Sequence, residues 1–91
     1  MKLERTQAGL LELHLSDDPG QFECLAERIR AIMKGRWVEQ LNGLDQSYWE
    51  LEAHGKVLTV HREHYLGVSV FCEDGQEMMN LLAQLASEFS V

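Results

Sequence analysis

The chain has 91 residues, 45% of them hydrophobic and 25% charged, with a net charge of −7. That length suits one domain spanning residues 1–91, and the composition excludes a disordered chain. No apolar run approaches the ~18 residues of a membrane helix, and two cysteines without a CxxC spacing exclude a disulfide scaffold.

The opening MKLERTQAG has mixed charge and lacks the apolar core of a signal peptide, so the cytoplasm is the expected compartment. Leu10 to Leu15 alternates: Leu11, Leu13 and Leu15 share one face, Glu12 and His14 the other. This predicts a half-buried strand. Leu3 and Arg5 either extend it or form a short partner strand across Gln7-Ala8-Gly9. Asp18-Pro19 predicts a helix start, the aspartate capping free N–H groups and the proline filling the first helical position. Phe22, Leu25, Ala26, Ile29, Ile32 and Met33 follow at helical spacing, and Gly35 is the expected stop.

Residues 36–46 fit two readings. Trp37, Glu39 and Leu41 alternate as in a strand, whereas Trp37, Val38 and Leu41 fit a helical turn. The short strand is preferred, ended by Asn42-Gly43.

Residues 47–63 admit one sensible hairpin register. With His54-Gly55 as a two-residue turn, Ala53 faces Lys56, Leu51 faces Leu58, Trp49 faces Val60 and Tyr48 faces His61. Both large apolar pairs then share a side, and Glu50, Glu52, Thr59, His61 and Glu63 take the other. A further strand is expected from Leu66 to Cys72. Leu66, Val68, Val70 and Cys72 point one way, Gly67, Ser69 and Phe71 the other. Asp74-Gly75-Gln76-Glu77 has the spacing of an acidic capping box. Met78, Leu81, Leu82, Leu85 and Phe89 form the stripe of a second helix.

The expected fold is α+β, in the order β-α-(β)-β-β-β-α. It is a two-layer sandwich: a mainly antiparallel sheet of four to five strands with both helices on one face.

No catalytic constellation and no cofactor motif emerges. His61-Arg62-Glu63-His64 lacks the HExxH spacing, and on a strand His61 and His64 point to opposite faces. His61 and Glu63 share a face and His14 could join them, the one trio with metal-ligand chemistry. Cys24 lies away from the helix stripe with no histidine near in sequence, so an exposed inert thiol is expected.

The outer sheet face carries the functional reading. Tyr48, His61 and Phe71 project there among Glu50 and Glu63, and aromatics on a polar sheet surface mark contact sites. RNA-binding sheets surround such aromatics with basic residues; here the surroundings are acidic, which argues against nucleic acid. Residues 1–36 are neutral, with six acids and six bases, whereas residues 37–91 hold nine acids against Lys56 and Arg62. The expected function is a small protein-interaction or regulatory module, its partner a basic protein or a second copy in a homodimer. The alternative is a small-molecule or metal-binding domain using the His61/Glu63 face.

The run DQSYWELEAHGKVLTVHREHYLGVSVFCED, residues 45–74, resembles small bacterial proteins grouped as a domain family of unknown function. The likeness rests on the aspartate before Tyr48-Trp49, on Gly55, and on Glu63-His64-Tyr65 followed by Gly67. It implies a compact bacterial α+β protein and supplies no reaction.

Overall fold

The computed structural model describes residues 2–89. Six strands run β1 (Lys2–Arg5), β2 (Leu10–Ser16), β3 (Arg36–Asn42), β4 (Gln46–Ala53), β5 (Lys56–Glu63) and β6 (Gly67–Glu73). Helix α1 (Phe22–Met33) lies between β2 and β3, and α2 (Gln76–Phe89) follows β6. The strands form one sheet in the order β1-β2-β6-β5-β4-β3, every neighbouring pair antiparallel. No helix among the described residues is long and apolar enough to cross a membrane.

Six strands replace the four to five expected, because both ambiguous pieces pair as edge strands. Leu3 and Arg5 sit in β1, opposite Leu13 and Leu11. The tight turn between β1 and β2 is closed by Thr6 N–H donating to the Leu10 carbonyl at 2.8 Å. The 36–46 stretch forms β3, but with a bulge between Trp37 and Glu39. The bulge breaks the simple alternation. Trp37 shares the side of Leu51, while Glu39 and Leu41 share that of Glu50 and Tyr48.

The central hairpin has the expected register at every position: Ala53–Lys56, Leu51–Leu58, Trp49–Val60 and Tyr48–His61 are paired. His54 and Gly55 both have positive φ, 55° and 73°, which matches a type I′ turn and the right-handed twist of the strands it joins.

The core is one cluster. Leu11, Leu13, Leu51, Leu58, Val60, Val68 and Val70 from the sheet meet Phe22, Leu25, Ala26, Ile29 and Met33 of α1 and Met78, Leu82 and Leu85 of α2. All seven sheet residues lie on the same side by register, so both helices contribute to the same apolar layer. Phe22 and Trp37 meet Trp49 edge-on, with ring centroids 4.8 and 5.3 Å away. The Trp49 indole N–H donates to Asn42 Oδ1 at 2.9 Å, which satisfies its polar end. Cys24 is exposed on α1. The Cys72 thiol is buried, and burial chiefly, with Asp74 and Glu73 beside it, pushes its pKa up to about 11.

Four local expectations need correction. Asp18 does cap, its carboxylate accepting from Gly20 N–H at 2.9 Å, but Pro19–Gln21 is a single 3-10 turn before α1. At the end of α1 it is Lys34 that turns left-handed, at φ 55°, and Gly35 N–H then reaches the Arg30 carbonyl. Asp74 forms no capping box: its carboxylate accepts from Arg5 Nε at 2.8 Å, and the Gly75 carbonyl takes the Met79 N–H. Leu66 likewise stays outside β6, 68% exposed, because Leu66 N–H closes a turn onto the Glu63 carbonyl.

Candidate functional site

The sheet face opposite the helices is organised in transverse rows, since residues paired across neighbouring strands project to the same side. One row reads Lys2–His14–Ser69–His61–Tyr48–Leu41. The row beside it reads Glu4–Glu12–Phe71–Thr59–Glu50–Glu39. Every binding residue expected from sequence, Tyr48, Glu50, His61, Glu63 and Phe71, is on this face.

The aromatics touch. Tyr48 and His61 stack with centroids 4.4 Å apart and planes 10° from parallel, and Phe71 tilts against His61 at 5.7 Å. Gln46 locks the pair: its Oε1 accepts from the Tyr48 hydroxyl and lies 3.1 Å from His61 Nε2. Tyr48 is still 42% exposed, and Leu41 beside it is 56% exposed. The rings are held in fixed orientation, yet offer apolar surface to a partner.

Phe71 and Thr59 also line an open groove of about 720 Å³ that reaches Lys56, Asp74 and Glu77. Lys56 Nζ sits 3.3 Å from Glu77 and Arg5 Nε sits 2.8 Å from Asp74, so the cations nearby are engaged.

His14, His61 and Glu63 do not converge. β6 separates β2 from β5, with Ser69 between the two histidines, a backbone separation of roughly two strand spacings or ~10 Å. Both His14 nitrogens are engaged, Nδ1 with Ser69 Oγ at 3.1 Å and Nε2 with Asp17 Oδ1 at 2.7 Å. Glu63 accepts the Tyr65 N–H at 3.2 Å. Among the described residues no three His, Cys, Asp or Glu side chains are placed to hold a metal ion.

Burial lowers the His61 pKa below the ordinary imidazole value, against the smaller upward pull of Glu63 and Glu12. Folding therefore favours the neutral ring, and the unfolded chain binds more protons as pH falls. The contribution of neutral His61 is fully present above about pH 6.5 and is lost progressively below it. His61→Phe keeps a flat ring against Tyr48. It is expected to lose less Tm than the parent protein between about pH 7 and pH 5.5. Equal losses in thermal melts of the two proteins would assign the acid sensitivity elsewhere.

Several members of the face escaped sequence reasoning. Glu12 joins Phe71 only because β2 pairs with β6, and Glu39 and Leu41 join it only through β3. The alternation of Leu10 to Leu15 placed Glu12 on a wet side, but not beside an aromatic.

Compared with models of protein families, with curated proteins and with solved structures, the chain matches none. The resemblance over residues 45–74 stays an expectation and assigns no role to any residue.

Proposed function

We propose that the protein is a cytoplasmic protein-interaction module. It is a two-layer sandwich whose helices cover one sheet face and leave the other as the docking surface. The observation that carries this reading is the Leu41–Tyr48–His61 row with Phe71 beside it. Tyr48 and His61 stack and share Gln46, and Phe71 tilts against His61, while Tyr48 and Leu41 stay exposed among glutamates. Holding rings rigid in water contributes little to the chain's own core. It lowers the entropy lost when a partner settles on them. The acidic surroundings repel phosphate backbones, which supports a protein partner over nucleic acid.

The test compares captured proteins for the parent chain, for Tyr48→Ser combined with Phe71→Ser, and for Tyr65→Ser as an exposed-aromatic control, after circular dichroism has established that all three fold. Specific partners should be lost with the double variant and kept with Tyr65→Ser. An unchanged set of captured proteins across the three would refute the docking face.

A further inference from the structure

We infer that the uncovered face seats an arginine-bearing segment of a different protein, with a guanidinium lying over Phe71 and bonded to Glu12 or Glu50. The inference rests on the docking-face reading and names the chemistry that reading leaves open.

Glu12 and Thr59 are the direct cross-strand neighbours of Phe71, and Glu50 is the next residue along the row. The Phe71 ring thus has a carboxylate beside it on β2 and another two strands away on β4. The two cations of this face are already engaged, Lys2 with Glu4 at 3.7 Å and Arg36 with Glu52 at 3.1 Å. Glu12, Glu39 and Glu50 form no ion pair among the described residues. Moreover, Glu39 and Glu50 stand directly opposite each other, an arrangement of like charges that destabilises a sheet. An arriving cation relieves that repulsion.

Phe71 and Thr59 line an open groove, whose Asp74 and Glu77 are already paired with Arg5 and Lys56. Arginine fits this seat better than lysine. Its planar guanidinium stacks on a ring while its fork of N–H groups bonds a carboxylate, whereas an ammonium is a strongly hydrated point charge. The same stacking occurs within the chain, where the Arg28 guanidinium sits 4.3 Å over the Phe89 ring.

A second copy is the poorer occupant. Two-fold pairing of this face would bring two acidic surfaces together, with only Lys2 and Arg36 of each to offset them.

The test is an NMR titration of 15N-labelled full chain with an eight-residue peptide alternating Arg and Gly, and with its Lys counterpart, at low and at physiological salt. A dilution series of the protein alone runs beside it. The arginine peptide should shift Phe71, Thr59, Glu50 and His61 together and saturably, bind several-fold tighter than the lysine peptide, and weaken with salt. Combined Glu12→Gln and Glu50→Gln should weaken it about tenfold or more while raising the Tm of the free protein. A purely structural role for these glutamates would not move binding and stability in opposite senses. Equal responses to both peptides, or shifts spread over α2 instead, would overturn the inference. Self-association mapping to the same rows would overturn the arginine partner and leave the docking face standing. A silent face, with capture still lost in the Tyr48/Phe71 variant, would do likewise. Capture that survives that variant removes the docking face itself.

Discussion

Gly67→Ala is expected to destabilise the protein by about 3–5 kcal/mol, which lowers Tm by at least ~12 °C for a chain of this size. Gly67 begins β6 at φ +101°, a conformation that an L side chain rarely adopts. Space forbids the substitution as well. A Cβ there would overlap the Ser16 carbonyl oxygen and lie 2.8 Å from the Asp17 Cα and carbonyl carbon. These are backbone atoms at the end of β2, so no side chain can swing away. Either β6 shifts against β2, or the chain leading into α1 moves. Gly55→Ala supplies the contrast. It has φ +73° but nothing within 4 Å of the added carbon, so only the conformational penalty of about 1–2 kcal/mol applies. Equal losses for the two variants in urea melts would mean that the Ser16–Asp17 contact is not what Gly67 accommodates.

Leu51→Ala carries the second large effect, about 2–5 kcal/mol. Leu51 is fully buried, opposite Leu58 on one side and Trp37 on the other. Truncation leaves a cavity between two strands that cannot close without disturbing the Trp37–Trp49 contact. The adjacent Glu50 projects to the other face, and Glu50→Ala should change stability by no more than about 0.5 kcal/mol, in the stabilising direction because Glu39 stands opposite. Two consecutive residues with such different outcomes follow directly from strand alternation. Comparable destabilisation at both positions would mean that β4 is buried on both sides.

The middle of the sheet was legible in the sequence because its register is over-determined. Slipping β4 against β5 by one residue would drive Glu50 and Glu52 into the core, so Leu51–Leu58 and Trp49–Val60 admit a single pairing. The edges were only partly legible: the short strand preferred for 36–46 is β3, whereas β1 was one of two readings. β1 has only four residues, and β3 is exposed along nearly its whole length, so neither has a strong apolar face to declare it. The bulge between Trp37 and Glu39 then puts Trp37 on the face opposite Glu39 and Leu41, although the three alternate in sequence. At the helix ends, local rules competed with tertiary contacts. Asp74 has capping spacing, yet Arg5 on a strand 69 residues away takes its carboxylate.

The site was half legible for the same reason. Alternation within each strand told which side Tyr48, His61 and Phe71 occupy. It did not tell which strands are neighbours, and only the order β2-β6-β5-β4-β3 brings Glu12, Phe71, Glu50 and Glu39 into one row. That order also parts His14 from His61, which sequence left as candidate co-ligands.

The sheet is dry beneath its helices and open to water on its other side. Solvent relaxation measured by NMR with a soluble paramagnetic gadolinium chelate tests this residue by residue. Leu41, Tyr48 and Val57 should relax strongly, while Leu13, Leu51, Leu58 and Val60 stay protected. Comparable relaxation of Val60 and Val57, or a shielded Tyr48 in the dilute protein, would contradict it.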